Sequence, residues 1–492
     1  MSPLKSTLKN NLKENGEQIC NARYGVISSA GALINVIYPF ISGILIDFYG
    51  PSLVCMLCSI FALVGNIVLA VGAQRDSFTV VLGGQIIAGF GLITLNSCKY
   101  RLYAHWFSGS VKSGPGHMAL VIGLDIGVNR IYNTIGKQSA VPIMNDAGQA
   151  NWYWAFWFGA ILCAFSFVVN IAYLILEFKL PASLRVKTGY MLARAEARKS
   201  GLLTKHKSGY VVMKEQLRQI WRSLYNLPAA YWLICCTQIL QSGTIDAYAS
   251  NSPELIQVTR GVSTEVAAYQ GGLDQVIPIV LSPVFGFLID QFGKRHYLIS
   301  YTAAIYILAY ALLAYTWNVS ALAPVLLSSL ALSSNDIPFE ATIPLIVSSK
   351  TSLGAAYGGW AAFYSSGTVI MDVSTGAIQN HSLGVKHVDP KHQYDDMFYF
   401  LIAIKCVGVL NGFLYLYLDK RYLGNVMGLS ERARIAKEAK EQKEKRIAGR
   451  KDDKLLVHRG SWTIAGVFMY LALAITSYVI FIYYSVAKER CR

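Results

Sequence analysis

Four polar residues in one long apolar stretch have the types and spacing of a binding site. Arg130 lies near the centre of the apolar segment 117–142. Its guanidinium is permanently charged, and its planar fork can hold a carboxylate through two parallel hydrogen bonds. Asn133 and Lys137 follow at i+3 and i+7 on the same helical face, and Asn129 precedes Arg130. The four residues predict an anion-binding site. The alternatives are a structural ion pair for Arg130 and, for Lys137, a side chain that reaches toward the membrane surface.

Acidic and basic residues also lie inside other apolar segments. An ionisable side chain at membrane depth costs about 2.5–3.5 kcal/mol on insertion scales, and therefore usually faces a cavity or a partner. Two interpretations stay open for these residues. They take part in proton coupling, or they form ion pairs, with Arg130 or among themselves, that only hold helices together. The residues are Asp125, Asp274, Asp336, Glu340 and Lys405.

No catalytic motif accompanies these side chains. The sequence contains no Walker A run, no His-Glu-x-x-His and no Asp-Asp-x-x-Asp cluster. We therefore predict neither an enzyme nor a cofactor. The histidines at 381, 387 and 392 share one outer loop and are interpreted as solvated, so no metal site is predicted.

The segments that carry these residues indicate helices that cross a membrane. Only 15% of the 492 residues are charged, against roughly 25% in an average soluble domain. Nearly uncharged stretches of about 20 residues, enough to span a hydrocarbon core, recur along the chain. This composition excludes a soluble enzyme, a nucleic-acid-binding protein and a fibrous protein, and it makes the lipid bilayer the surroundings of the chain. The predicted spans are 25–46, 52–73, 78–98, 117–142, 152–176, 229–250, 266–289, 297–316, 322–347, 355–379, 397–418 and 461–486.

The distribution of basic residues orients these spans. If the loop 99–116 is cytoplasmic and sides alternate, cytoplasmic segments hold 30 of the 44 Lys and Arg residues. The loops between spans on the other side hold only 4, and such a bias fixes the topology. Two Asn-x-Ser acceptors, Asn318 and Asn380, fall in loops on that other side and are candidate glycosylation sites. Pro338 and Pro344 predict that the span 322–347 is bent.

A motif of the form G-x-L-x-D-x-x-G occurs twice, 243 residues apart. It resembles the cytoplasmic loop signature of the major facilitator superfamily, which joins helix two to three and helix eight to nine. The resemblance implies two six-helix bundles that transport by alternating access. Glycine permits close helix approach, and the aspartate can accept from the amides at a helix N-terminus. The alternative is that the motif only shapes a sharp loop. The candidate gating residues are Gly43, Asp47, Gly50, Gly286, Asp290, Gly293, Lys294 and Arg295.

The first copy departs from the family pattern, because Phe48, Pro51 and Ser52 stand where basic residues are usual. We call the contact that each copy of the motif makes with a neighbouring helix at the gate a latch, and we expect the first latch to be weaker than the second.

Longer runs resemble the lysosomal dipeptide uniporter branch of that superfamily. They are SPVFGFLIDQFGKR, SLGAAYGGWAAFYSSG, AHWFSG and GLDIGVNRIYNTIG. The resemblance implies a lysosomal or vacuolar membrane, a short peptide as solute, and contact between Arg130 and that solute. An accessory glycoprotein subunit is a further candidate partner. The branch's acidic residue on the fourth helix has no counterpart in Ile93–Asn96.

The motif positions also number the helices. If Gly43–Gly50 follows helix two, the segment 25–46 is helix two, and the polar residues before it cannot cross a membrane. We therefore expect an all-α major facilitator fold without the first helix, with one extra C-terminal helix. In a second interpretation, 461–486 fills the place of the first helix. The predicted segments are a polar start 1–24, an N-terminal bundle 25–176, a basic loop 177–228, a C-terminal bundle 229–419, a basic helix and linker 420–460, the extra helix 461–486 and a tail 487–492.

Together these features predict a secondary transporter of a small organic solute, working as a uniporter or a proton-coupled carrier. A receptor or assembly subunit that does not transport, built on the same fold, is the alternative. Uptake by the reconstituted protein distinguishes the two.

Overall fold

The computed structural model is helical apart from one small antiparallel pair of strands, β1 (Lys13–Glu14) and β2 (Glu17–Gln18). The residues that it describes are 12–14, 17–18, 21–110, 114–147, 151–181, 184–186, 188, 191, 218, 225, 227–316, 320–347, 352–385, 392, 394–447 and 460–486. Most of the predicted basic loop 177–228, and part of the linker 420–460, lie outside this set. The proposed division of the chain into segments stays a prediction.

The first group of helices forms the N-terminal half. Gly50 adopts a positive φ of 97° and Pro51 opens the next helix, which is the sharp turn that the motif predicts. The described helices of this half are α1 (Asn21–Tyr49), α2 (Pro51–Gln74), α3 (Phe78–Phe107), α4 (Met118–Ala147) and α5 (Trp154–Lys179).

The second group forms the C-terminal half and ends in a π-helical turn, Asp419–Leu423. A 3-10 turn, Leu273–Gln275, separates α7 from α8. The helices are α6 (Ala229–Arg260), α7 (Thr264–Gly272), α8 (Val276–Phe292), α9 (Arg295–Tyr315), α10 (Leu322–Leu332), α11 (Ile337–Glu340), α12 (Ile343–Ile346), α13 (Leu353–Val385) and α14 (Asp395–Leu418). Two more helices follow, α15 (Glu431–Ile447) and α16 (Gly460–Val486).

The predicted bend in the span 322–347 is confirmed. Pro338 and Pro344 each lie in the first turn of a four-residue helix, α11 and α12. A proline nitrogen has no hydrogen to give to the preceding turn, so the helical ladder is interrupted at both places. Asp336 and Glu340 therefore lie on irregular backbone in the interior of the protein, where polar groups can be presented to a cavity.

Several predicted boundaries are wrong by a few turns. α3 continues nine residues past the predicted end at 98, because Lys99 is paired inside the protein and does not mark the membrane surface. α13 runs from Leu353 to Val385, so Asn380 belongs to a helix and not to the loop predicted for it. Asn318 lies outside the described residues.

Seven helices of the described part are long and apolar enough to cross a membrane by length and composition. They are Pro51–Gln74, Phe78–Phe107, Trp154–Lys179, Tyr269–Phe292, Arg295–Tyr315, Asp395–Arg421 and Thr463–Ile480. Other predicted spans are more polar because they bury polar side chains inside the protein. On α6, for example, Gln238, Gln241 and Thr244 are all buried.

Two helix pairs, α1 with α13 and α4 with α8, form the most extensive contacts between the halves. In each seam a motif glycine lets two backbones touch. A Cβ on Gly43 would overlap the carbonyl oxygen of Gly354, and a Cβ on Gly286 would overlap that of Ala119. The two seams therefore repeat one arrangement, as the duplicated motif predicts.

The extra helix α16 packs on the outside of the α1/α13 seam. Its Tyr470 hydroxyl donates to Val36 O at 2.7 Å, and its Gly466 lies against the ring of Trp232. The opposite face is open, with Phe468 68% exposed.

The position of α16 tests the interpretation in which the segment 461–486 takes the place of the first helix. The motif places α1 and α8 at corresponding positions of the two halves. It follows that α4 corresponds to α13 and that α5 corresponds to α14. The first helix of the N-terminal half would correspond to α6. Because α6 packs on α13 and α14, that first helix would lie against α4 and α5. α16 instead packs on α13, α1 and α6, so the interpretation that it fills the place of the first helix is wrong.

Candidate functional site

The first motif aspartate connects the two halves at the cytoplasmic end. Asp47, near the end of α1, accepts hydrogen bonds from Gly354 N at 2.8 Å and Ala355 N at 2.7 Å. These amides belong to the first turn of α13, where backbone donors have no partner within the helix and the dipole favours an anion. Asp47 therefore caps a helix of the opposite half.

The second motif aspartate does the same in the other seam. Asp290, at the end of α8, accepts from Ala119 N at 3.2 Å and Leu120 N at 2.9 Å, in the first turn of α4. Both latches are engaged in this structure. The motif-bearing ends of the two halves, which the basic residues predict to be cytoplasmic, are consequently held together.

Arg101 lies beside the first motif aspartate, and the sequence analysis did not single it out. Its Nε lies 3.6 Å from Asp47 Oδ1, and Arg101 is only 4% exposed. The first copy of the motif lacks the basic residues of the second, but Arg101 supplies a buried cation from α3. Among the described residues no cation lies within ion-pair distance of Asp290. The expectation of a weaker first latch did not consider Arg101, and the relative strength of the two latches stays a prediction.

The basic residues of the second copy bind backbone carbonyls. Arg295 Nη1 donates to Val426 O at 3.2 Å. The amides of Lys294 and Arg295 donate to Gly428 O at 3.2 Å and Met427 O at 3.1 Å. Lys294 and Arg295 therefore fix the turn after α14 against the start of α9.

Helix α15 adds a contact between the halves. Its Arg434 pairs with Glu431 and Glu438. Arg434 Nη2 also lies 3.4 Å from Gly109 O. Gly109 follows α3 of the N-terminal half, whereas α15 follows α14 of the C-terminal half, so this helix lies across the cytoplasmic end.

A second layer lies one turn farther into the protein. The Tyr100 hydroxyl on α3 donates to Glu340 Oε1 at 2.6 Å, and the Tyr357 hydroxyl on α13 donates to Glu340 O at 3.0 Å. The Tyr100 and Tyr357 rings stack with centroids 5.2 Å apart. We call Tyr100, Glu340 and Tyr357 the floor, because they separate the latches from a cavity on the other side.

That cavity of about 210 Å³ lies between the two halves. Its walls combine one guanidinium, an ammonium, three carboxyl groups and several aromatic rings. The lining residues are Ile93, Asn96, Ser97, Lys99, Tyr100, Asp125, Ile126, Asn129, Arg130, Asp336, Glu340, Tyr357, Trp360, Ala361 and Tyr364.

Of the four residues predicted to bind solute, the structure brings Arg130 and Asn129 into the cavity wall. Arg130 Nη1 donates to Gln275 Oε1 at 2.5 Å. No carboxylate of the described part lies within ion-pair distance of this guanidinium. Asn133 donates to Asn129 Oδ1 at 3.0 Å and is exposed beside the cavity. Lys137 belongs to α4, but its side chain lies outside the described residues.

Asp125 forms an ion pair, with a partner that the sequence analysis did not consider. Lys99 Nζ lies 2.6 Å from Asp125 Oδ2, and the Tyr103 hydroxyl donates to Asp125 Oδ1 at 3.0 Å. Lys99 had been assigned to a cytoplasmic loop. The signal that could have placed it is the continuation of the apolar helix pattern through residues 99–107.

Asp336, Asp274 and Lys405 each have a neutral hydrogen-bond partner. Asp336 accepts from Asn335 Nδ2 at 2.7 Å. Asp274 accepts from Gln275 Nε2 at 2.8 Å, so Gln275 links Asp274 to Arg130. Lys405 is buried, donates to Gln241 O at 2.7 Å and lies 4.6 Å from the centre of the Tyr306 ring. In the described structure Lys405 is not paired directly with any carboxylate.

The aromatic wall was also missed. Trp360 and Tyr364 lie one turn apart on the cavity face of α13, and the Tyr364 hydroxyl donates to Asp246 Oδ2 at 2.6 Å. Tyrosine and tryptophan combine apolar area with a polar handle. The run from Gly358 to Tyr364 alternates small and aromatic residues, and this was the available signal.

The fold, its two seams and its central cavity can now be compared with known proteins. The family model of the Major Facilitator Superfamily matches residues 3–274 and, a second time, 234–489. The chain belongs to the major facilitator superfamily. It is accordingly a secondary transporter and a multi-pass integral membrane protein, not an enzyme.

Individual members of the superfamily are similar over most of the chain. The lysosomal dipeptide transporter MFSD1 of Danio rerio is 25% identical over 413 residues, which are 81% of this chain and 79% of that protein. The transporter of the same name from Homo sapiens is 24% identical over 412 residues, 81% of this chain and 78% of that protein.

Solved superfamily structures share the fold. The proton:xylose symporter XylE superposes with a TM-score of 0.59 at 14% identity, covering 85% of this chain and 90% of that one. The human organic anion transporter MFSD10 gives 0.54 at 15% identity, covering 84% and 88%.

Proposed function

We propose that this major facilitator carries short peptides, of about two residues, or amino-acid-like solutes across a lysosomal or vacuolar membrane. The similarity to lysosomal dipeptide transporters over 81% of the chain supports this solute class and this membrane. An accessory glycoprotein subunit stays a prediction.

The single observation that carries the proposal is that Arg130 lines the cavity and is held by a neutral partner. Its guanidinium lies in the wall of a cavity between the halves, and its hydrogen bond goes to a neutral amide, that of Gln275. A buried or half-buried arginine held by a neutral group keeps its charge available for an incoming anion. The carboxylate of a peptide C-terminus fits this charge and its bidentate geometry.

The opposite end of the solute has acidic residues available. Ile93 and Asn96 line the cavity without an acid between them, whereas Asp336 lies in its wall on the other half. We assign the peptide ammonium to Asp336. The two charged ends of the solute would then contact α4 of one half and the interrupted segment α10–α12 of the other. Binding would therefore connect the halves.

The size of the cavity favours a short solute. Its volume of about 210 Å³ is below the roughly 300–1,000 Å³ of pockets that hold drug-sized molecules. Trp360 and Tyr364 provide apolar area for side chains between the charged ends.

The engaged latches define the state of the carrier. Because both seams are joined at the cytoplasmic end, this structure is closed to the cytoplasm. Transport requires both latches and the floor to separate while the halves close on the other side, as in alternating access by inverted or repeated bundles.

The test is exchange of labelled for unlabelled alanyl-alanine by the purified protein in liposomes. We expect exchange to saturate and to be inhibited by excess unlabelled alanyl-alanine. Alanyl-alanine amide should not inhibit it, because the amide has no carboxylate for Arg130. Thermal stabilisation by the dipeptide should accompany it, about 2.7 kcal/mol at a concentration of 100 Kd. Stabilisation without exchange would favour the receptor alternative, and neither effect with any dipeptide or amino acid would reject the proposed solute class.

A further inference from the structure

Glu340 is a buried acid with an incomplete set of partners. It is only 3% exposed, and its Oε1 accepts from Tyr100 at 2.6 Å. Its Oε2 is buried and has no hydrogen-bond partner among the described residues. Buried polar atoms are nearly always satisfied in folded proteins, so an orphaned carboxyl oxygen at the centre of a transporter requires an explanation.

The surrounding charges do not neutralise a carboxylate here. On α3, Lys99 is committed to Asp125 of α4 at 2.6 Å, and Arg101 lies beside Asp47. The remaining groups that face Glu340 are neutral or acidic and would repel a second negative charge. They are Tyr100 of α3, Asp125 of α4, Tyr357 of α13 and Asp336 one turn earlier on its own segment.

The neutral acid is therefore the stable form of Glu340 in this state. A carboxylate buried with one neutral hydrogen bond loses most of its hydration, whereas the protonated group leaves only one weak donor unpaired. The proton would lie on Oε2, the oxygen that accepts no hydrogen bond from the described residues.

The floor joins the two halves through this group. Tyr100 belongs to the N-terminal half and Glu340 to the C-terminal half, so their hydrogen bond must break when the cytoplasmic end opens. Opening brings water to Glu340. The O–H bond of the acid then breaks, the proton passes to cytoplasmic water, and the carboxylate stays on the protein with its charge hydrated.

We infer that Glu340 is a proton-binding site whose occupancy closes the floor, so that the carrier holds one proton in the cytoplasm-closed state and releases it on opening. The inference rests on the alternating access of the proposed function, but it does not depend on the identity of the solute. Because the closed state binds the extra proton, low pH favours it and rising pH favours the open state.

The test measures the closed and open populations without solute. Spin labels at Phe107→Cys on the end of α3 and Arg421→Cys after α14, in a background whose accessible native cysteines are serine, report the cytoplasmic separation by electron–electron resonance. Between about pH 5 and about pH 9 we expect the open-to-closed ratio to rise by up to about tenfold per pH unit, the limit for one proton.

Three variants make the result specific. Glu340→Gln keeps an acceptor for Tyr100 and carries no charge, so it should stay closed at every pH. Tyr100→Phe should favour the open state by a few-fold yet retain the pH dependence. Asp246→Asn removes a different acid inside the protein, one that accepts from Tyr364 and Thr368, and should also retain it. A pH-independent wild type, or a Glu340→Gln variant with the wild-type profile, would overturn the inference and leave the proposed solute untouched.

A second measurement detects the proton itself. The infrared difference between wild type and Glu340→Gln in the closed state should contain the carbonyl stretch of a protonated carboxylic acid. A carboxylate band in its place would overturn the inference. Solute exchange in liposomes is measured separately, so failure of the proton site and failure of the proposed function give different results.

Discussion

Arg130→Ala is expected to abolish solute exchange, with a loss of at least about 100-fold. Two charge-assisted hydrogen bonds to a carboxylate are worth about 1.5–3 kcal/mol each, and each 1.4 kcal/mol changes an equilibrium about tenfold. The cavity contains no second guanidinium among its described lining residues. Exchange of labelled alanyl-alanine in liposomes measures the loss.

Two further variants show whether the effect belongs to the guanidinium. Arg130→Lys keeps the charge but loses the planar fork, so it should retain partial exchange, about tenfold below the wild type. Arg75→Ala removes an exposed arginine after α2 and should leave exchange unchanged. If Arg130→Ala exchanged at the wild-type rate while remaining folded by its thermal midpoint, Arg130 would be a structural residue.

Asp47→Ala is expected to shift the carrier toward the cytoplasm-open state by a larger factor than Asp290→Ala. Asp47 accepts two short amide hydrogen bonds and lies 3.6 Å from the buried Arg101. Its removal takes a carboxylate away from a buried cation, and breaking a buried ion pair by removing one partner costs about 3–5 kcal/mol. Asp290 accepts two longer amide bonds, at 3.2 and 2.9 Å, so its loss mainly leaves backbone donors unpaired. The spin-label distance between the cytoplasmic ends measures both shifts.

A double-mutant cycle separates the ion pair from the helix cap. Arg101→Ala should reproduce much of the Asp47→Ala shift, and the double variant should show less than the sum, because both remove one interaction. Equal shifts for Asp47→Ala and Asp290→Ala, or a larger shift for Asp290→Ala, would contradict the role given to Arg101.

The fold could be predicted because its signals are local and repeated. Apolar stretches of membrane length and the duplicated motif around Asp47 and Asp290 indicate the superfamily without any long-range information. The predicted end of the helix Phe78–Phe107 is wrong because a charged residue there lies inside the protein and not at the membrane surface. Lys99 is a buried ion-pair partner, and no local pattern reveals that Asp125 lies beside it.

The site was only partly predictable for a related reason. Arg130 is conspicuous because it is a permanent charge at the centre of an apolar helix. The floor depends on Tyr100 and Glu340, which are 240 positions apart. Their contact follows from the packing of the two halves, as does the position of Arg101. Residue types alone could nominate Glu340 but could not show which of its oxygens lacks a partner.

Alternating access to one cavity is tested most directly by labelling a thiol placed in that cavity. In the background whose accessible native cysteines are serine, Asn129→Cys would be treated with a membrane-impermeant maleimide from either side of oriented vesicles. We expect labelling from the non-cytoplasmic side in the state described, and labelling from the cytoplasmic side only when Asp47→Ala opens the latch, with alanyl-alanine slowing both. Equal labelling from both sides in the wild type, or no cytoplasmic labelling in any variant, would contradict the account.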